Sequence, residues 1–225
     1  MPVIYHGSAG KFMMTRKQIS VLLVDDHAVV REGYRHLLES ADIAVIGESS
    51  SGELGYQAYF ELKPDVVIMD LSMSGIGGLE TLRRIVSKDN KANIVIFSMH
   101  DSPVYSSRAL QTGAKGYVSK ASAPEVLVEA IITVVKGKRY ISPDIAQQIA
   151  INQADEHTII NDLSAREFEV FQLLAKGLTL EDIANTLHLD YKTIANTQTR
   201  LRQKLNVENG SQLVLAAIKL NILQL

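Results

Sequence analysis

The sequence predicts an α/β protein in which a doubly wound, five-stranded parallel sheet is followed by a small all-α domain. Two observations carry this reading. Up to Tyr140, five short apolar runs alternate with stretches of helical period, the pattern left when crossover helices bury both faces of a parallel sheet. Beyond Leu163 no strand-like run remains, and four helical stretches follow. A chain of 225 residues, at roughly 100 to 200 residues per domain, has room for two such units.

Residues 1–18 precede the first regular signal and read as an N-terminal extension, with Met13 or Met14 as alternative starts. ISVLLV (Ile19 to Val24) is apolar, rich in branched side chains and closed by Asp25 and Asp26, which reads as a buried strand. IAVIGE (Ile43 to Glu48), DVVIMD (Asp65 to Asp70), NIVIFS (Asn93 to Ser98) and KGYVSK (Lys115 to Lys120) repeat that signal. Helical period fills Val29 to Glu39, Glu53 to Leu62, Leu79 to Val86 and Val104 to Gln111, and returns at Glu125 to Val135 after the fifth strand. The first domain therefore spans 19–138.

Residues 139–161 are expected to form a linker that holds one short helix, because Ser142 can cap and Pro143 can open a helix. Gln153 to Asn161 then shows almost no apolar period. The second domain, 162–225, should hold helices at Ser164 to Lys176, Leu180 to Leu187, Tyr191 to Lys204 and Ser211 to about Leu223. Ser164 with Glu167, and Thr179 with Asp182, stand at capping-box spacing. Gly177 fits a helix stop.

Composition excludes several classes of function. Lys plus Arg total 23 against 25 Asp plus Glu, a net charge of -2, so no global field draws the chain to a polyanion or an anionic membrane. Any nucleic-acid contact must come from a local patch. Without cysteine there is no disulfide, thiol nucleophile or Cys-ligated metal, which agrees with a reducing compartment. No run approaches the roughly 20 apolar residues of a membrane span, and MPVIYHGSAGKF lacks the apolar core of a secretory signal. The expected location is the cytoplasm, with no membrane partner.

In a doubly wound sheet, ligands gather at the carboxyl ends of the strands. Those ends carry Asp25 and Asp26 on the first strand, Asp70 on the third, Ser98 on the fourth and Lys120 past the fifth. Three carboxylates brought together repel one another, and a hard dication with oxygen ligands relieves this. Magnesium is the expected ion, since it keeps waters and pairs one or two carboxylates with a phosphate oxygen. Asp70 can then attack phosphorus as a carboxylate nucleophile, Asp25 and Asp26 hold the metal, and Lys120 and Ser98 meet phosphoryl oxygens. An isolated aspartate at a strand end is usually a loop residue or a helix cap; it is the convergence that points to phosphate chemistry.

With these motifs in place, residues 19–136 resemble the receiver domain of bacterial two-component response regulators. VLLVDDH carries the acidic pair, VVIMDLSMSGIGGLE surrounds the acceptor, IVIFS ends in the switch hydroxyl, and GAKGYVSK brings the aromatic Tyr117 and Lys120. The resemblance implies Asp70 as phosphoacceptor and a Mg²⁺ site of Asp25, Asp26, Asp70 and the Ser72 backbone carbonyl. It also implies reorientation of Ser98 and Tyr117 on phosphorylation. Two departures stand out: Ser74 replaces a common proline, loosening the loop after Asp70, and Ala121 follows the lysine where many receivers have proline. The second puts a cis peptide after Lys120 in doubt.

In the helical domain, Ile183, Ala184 and Leu187 face inward on one helix, and Ile194, Leu201 and Leu205 on the next. Lys192, Asn196, Thr199 and Gln203 are left on one exposed stripe with Arg200 beside it. A donor-rich face of this kind after a helix-turn-helix suits the major groove of DNA, though an ordinary solvated helix would look similar. Acids and bases balance at seven each from Asn161 to Leu225, yet four of the bases lie between Lys192 and Lys204. One copy should bind DNA weakly, so a dimer is expected. Leu213, Ala216, Ala217 and Leu220 on the last helix either supply the dimer contact or close the domain core.

This domain resembles the DNA-binding domain of the NarL/FixJ, or LuxR-type, regulators, through SAREFEVFQLLAKG and KTIANTQTRLRQKLNV. Together with the receiver the likeness runs from about residue 19 to 223. MDLSMSGIGGLE and RYISPDIAQQIA point further to the GacA/UvrY-like branch, which implies a GacS/BarA-type hybrid kinase as partner. Ala195 and Thr197 stand where many members have Lys and His, so only Asn196, Thr199 and Arg200 are carried over as groove-facing, with Lys192 and Thr193 at phosphate. The expected function is a phosphorylation-controlled regulator: a sensor histidine kinase phosphorylates Asp70, and the chain then binds double-stranded promoter DNA as a homodimer. The alternatives are a Mg²⁺-dependent aspartyl phosphatase and a phosphorylation-independent DNA-binding protein.

Overall fold

The computed structural model describes residues 18–73, 75–99, 103–152, 162–220 and 222–223. The N-terminal extension, Ser74 and the polar stretch 153–161 lie outside them. Six parallel strands form one sheet in the order β2-β1-β3-β4-β5-β6: β1 (Ile19–Val24), β2 (Ile43–Ser49), β3 (Val66–Met69), β4 (Ile94–Ser98), β5 (Gly116–Ser119) and β6 (Tyr140–Ile141). The crossover helices are α1 (Ala28–Ser40), α2 (Gly52–Leu62), α3 (Gly77–Lys88), α4 (Pro103–Thr112) and α5 (Pro124–Val135).

The strand residues divide by parity between the two faces. Val21, Leu23, Ile68, Val95, Phe97 and Val118 pack with Leu127, Ile131 and Val134 of α5 and Leu38 of α1. Leu22, Val24, Met69, Ile94, Ile96 and Tyr117 pack on the other side with Tyr59, Leu82, Ile85 and Ala109. Burial on both faces explains why these strands read as unbroken apolar runs instead of alternating ones.

The sixth strand corrects the expected count of five. Tyr140 and Ile141 pair with Gly116 and Tyr117 of β5, inside the stretch expected to be linker. Helix α6 (Pro143–Asn152) follows at once, and its fully buried Ile145 joins the core on the α2–α4 side. Residues 140–152 are thus packed on the first unit. Two strand residues are too few to show any alternation, which is why the sequence hid them.

The second unit comprises α7 (Ala165–Ala175), α8 (Leu180–Leu187), α9 (Tyr191–Leu205) and α10 (Gly210–Lys219). Both capping boxes form: Ser164 with Glu167 opens α7, and Thr179 with Asp182 opens α8. Gly177 adopts a φ of 85° just past the end of α7, a left-handed turn that glycine enters without steric cost. All six residues expected to face inward, Ile183, Ala184, Leu187, Ile194, Leu201 and Leu205, are buried. Among the described residues no helix is long and apolar enough to cross a membrane.

The two units share a seam. Tyr105 of α4 joins the helical domain's core and meets the Phe168 ring edge-on at 5.5 Å. The Arg108 guanidinium lies 4.8 Å over the same ring and donates to the Leu163 carbonyl.

Candidate functional site

The order of the strands reverses beside β1, which lies between β2 and β3. This switch point opens a crevice at the carboxyl ends of the strands. Asp25 follows β1 and Asp70 follows β3, so the two chain ends that flank the crevice each deliver a carboxylate. Backbone bonds fix both: the Asp25 N–H donates to Ser49 O at 3.0 Å and the Asp70 N–H to Val24 O at 2.9 Å. Gly78 presses the start of α3 against this corner, since a Cβ there would lie 1.9 Å from the Asp70 carbonyl oxygen. The second of the paired glycines after Asp70 is therefore a steric requirement of the site.

Lys120 reaches in from the end of β5. Its ammonium donates to Asp25 Oδ2 at 2.6 Å and to Asp70 Oδ2 at 2.9 Å, with both carboxylates and the lysine nearly buried. Burial pulls the lysine's proton affinity down, but the two carboxylates more than offset this and hold it above the ordinary lysine value. The ammonium accounts for one oxygen of each aspartate. The other Asp70 oxygen, Oδ1, is buried with no hydrogen-bond partner, although Asp70 is only 3% exposed. A buried, unsatisfied carboxylate oxygen is costly unless an external group meets it.

Asp25, Asp26, His27 and Asp70 bring four ligand atoms within 4.8 Å of one another. The three carboxylate oxygens among them suit a hard dication, and the orphaned Asp70 oxygen is the place where such an ion would act. The donor set therefore fits the expected Mg²⁺. Ser72, expected to add its backbone carbonyl, is exposed two residues past Asp70. Ser98 ends β4 fully buried, and Tyr117 of β5 is fully buried in the core on the α2–α4 side. The peptide after Lys120 is trans, for no cis bond occurs among the described residues.

His27 is the residue that sequence reasoning missed. Its Nδ1 lies 2.8 Å from Asp26 Oδ1 and 3.2 Å from Asp25 Oδ1. Its backbone N–H donates to Asp25 Oδ1 at 2.8 Å. The only signal was adjacency to the acidic pair.

Helix α9 exposes the predicted stripe of Lys192, Asn196, Thr199 and Gln203 with Arg200 beside it, and Thr193 is exposed as well. Thr197 is different. It is 1% exposed and its hydroxyl donates to the Thr193 carbonyl at 2.9 Å, so the threonine at this position faces the core. Glu167 of α7 reaches the far end of the stripe, accepting from Lys204 Nζ at 2.7 Å and lying 3.8 Å from Arg200 Nε. Burial raises the Glu167 proton affinity, but Lys204 and the Ser164 cap outweigh it and leave the carboxyl below its ordinary range.

Of the two roles open to the α10 residues, the packing favours closure of the core for two of them. Leu213 and Ala217 are buried in the core of their own domain, and Ala216 and Leu220 pack against that core. Ala216 and Leu220 remain partly exposed. The outward apolar residue of this helix is Leu215, which is 57% exposed.

Comparison with known proteins gives two family matches: "Response regulator receiver domain" over residues 21–132 and "Bacterial regulatory proteins, luxR family" over residues 161–217. The chain is 39% identical over 205 residues to the response regulator UvrY of Escherichia coli K12, covering 89% of this chain and 94% of UvrY. It is 36% identical over 205 residues to the response regulator GacA of Pseudomonas aeruginosa PAO1, covering 89% and 96%. Among solved structures it is similar to RcsB of Salmonella enterica serovar Typhimurium bound to the promoter rprA in the presence of the phosphomimetic BeF3-. That likeness has a TM-score of 0.68 at 26% identity and covers 88% of this chain and 98% of RcsB.

Proposed function

This chain belongs to the two-component response regulators that join a receiver domain to a LuxR-type DNA-binding domain, and we propose that Asp70 is its phosphoryl acceptor and α9 its DNA-reading helix. The observation that carries the proposal is the unpartnered Asp70 Oδ1, buried beside two further carboxylates and an ammonium. Asp70 attacks the phosphorus of a histidine kinase's phosphohistidine and becomes an acyl phosphate as the imidazole leaves. Lys120, already held between Asp25 and Asp70, offers positive charge to the phosphoryl oxygens. The Ser98 hydroxyl donates to one of those oxygens, and Tyr117 follows its movement on β5. Asp25, Asp26, Asp70 and the Ser72 carbonyl would hold Mg²⁺, which when bound neutralises charge on the transferring group. The reaction is a single acceptance with slow loss, in a transcription regulator and not a classical enzyme.

DNA recognition is assigned to Asn196, Thr199 and Arg200 in the major groove, with Lys192 and Thr193 at phosphate. Likeness to DNA-bound RcsB supports double-stranded promoter DNA as the partner. Likeness to GacA and UvrY supports a GacS/BarA-type kinase. Zero net charge in the helical domain favours binding as a dimer, with two half-sites related by two-fold symmetry. The test is selection of genomic DNA fragments by the full chain, with and without acetyl phosphate and Mg²⁺. Enrichment of two-half-site sequences that needs the phosphodonor, and that Asp70→Asn abolishes, is expected. Enrichment unaffected by either would refute control through Asp70.

A further inference from the structure

The receiver-site reading leaves the His27 ring without a role, and the ring's position gives it one. Two ligands in adjacent positions on an octahedral ion with bonds near 2.1 Å are about 3 Å apart. Nδ1 of His27 meets that spacing twice, at 2.8 Å from Asp26 Oδ1 and 3.2 Å from Asp25 Oδ1. Lys120 occupies Oδ2 of both Asp25 and Asp70, so it is Oδ1 of Asp25 that faces His27, while Oδ1 of Asp70 is buried and unpartnered.

The backbone reinforces this. His27 is the N-cap residue of α1, with φ -91° and ψ 101°, and its side chain makes no capping hydrogen bond. The N–H of the same residue is tied to Asp25 Oδ1. The turn therefore pins the start of the side chain against the carboxylates, and the ring, which does not cap α1, rests on Asp25 and Asp26.

We propose that the His27 imidazole is a nitrogen ligand of the cation held by Asp25, Asp26 and Asp70. The proposal rests on the reading of those aspartates as a metal site and adds to it. An all-oxygen site suits Mg²⁺, whereas one imidazole nitrogen shifts preference toward borderline ions such as Co²⁺ and Zn²⁺. Nearly two thirds of the ring is exposed, so it can swing in for such an ion and aside for hydrated Mg²⁺.

Calorimetric titration of the full chain with Co²⁺ and with Mg²⁺ tests this, comparing wild type with His27→Ala and His27→Asn. The second variant supplies a capping side chain at the start of α1, and circular dichroism checks both folds. The expected result is a loss of Co²⁺ affinity of roughly tenfold or more in both variants, with Mg²⁺ affinity much less altered. Low-temperature pulsed electron paramagnetic resonance of the Co²⁺-loaded chain should show nitrogen coupling in wild type and none in His27→Ala. Equal losses for Co²⁺ and Mg²⁺, or no nitrogen coupling in wild type, would overturn the role of His27. Failure of wild type to bind either ion would instead overturn the metal site itself.

Discussion

Asp25 and Asp70 are separated in sequence but share one ammonium. Lys120 is 8% exposed and contacts both carboxylates. Its replacement by methionine keeps the apolar stem and removes the charge, so phosphorylation of Asp70 by acetyl phosphate should slow on the order of a hundredfold. A time course of labelling checks this, and an unchanged rate would remove Lys120 from the mechanism. At this scale the sequence was informative where a residue ended a strand. Asp25, Asp70, Ser98 and Lys120 were all legible because strand ends in a parallel sheet converge. His27 was not legible, because a lone histidine has no periodicity, and only the turn after Asp25 reveals that its ring comes back onto the aspartates.

Helix α9 was legible as an element because its inward side is apolar and its outward side is not. Its individual positions were less so. Thr197 read as a replaced DNA contact, yet it is buried and bonded to its own helix, and Arg200 and Lys204 turn out to lean on Glu167 of α7. These are contacts between distant parts of the sequence that no local pattern encodes. Asn196→Ala should relax preference at one base position at a cost of about 1 to 3 kcal/mol, while Lys192→Ala should weaken all sequences alike and lower the salt slope by about one. Binding isotherms at several salt concentrations separate the two. Identical behaviour of the two variants would mean that the helix does not dock along this face. The α10 residues show the opposite limit: Leu213 and Ala217 have the same helical spacing whether they meet a partner or their own core, and only the packing decides.

Across the whole molecule, the seam between the units could not be read from sequence, since Tyr105, Arg108 and Phe168 look like ordinary helix residues. The seam also holds Glu169 of α7. It accepts from Arg166 at 2.8 Å and approaches Gly77 of α3, where an added Cβ would lie 3.2 Å from its Oε1. Burial raises its carboxyl to about 8; Arg166 and Arg84 oppose the rise, while Glu80 and Glu53 add to it. The packed state thus holds a proton that the unfolded state releases near pH 4.5. Stability from this group is complete below that pH and is lost as pH rises toward 8, by at most about 1.4 kcal/mol per unit. Thermal unfolding of wild type relative to Glu169→Gln should therefore decline between pH 5 and 8, and parallel curves would refute the buried proton. The central claim is that one aspartate at the switch point of the sheet accepts the phosphoryl group. Its most direct test is intact-protein mass spectrometry after acetyl phosphate and Mg²⁺, with borohydride trapping to locate the modified residue. The account predicts a single phosphoryl addition, mapped to Asp70 and absent from Asp70→Asn. A phosphoryl group on any other residue, or undiminished labelling of the variant, would contradict it.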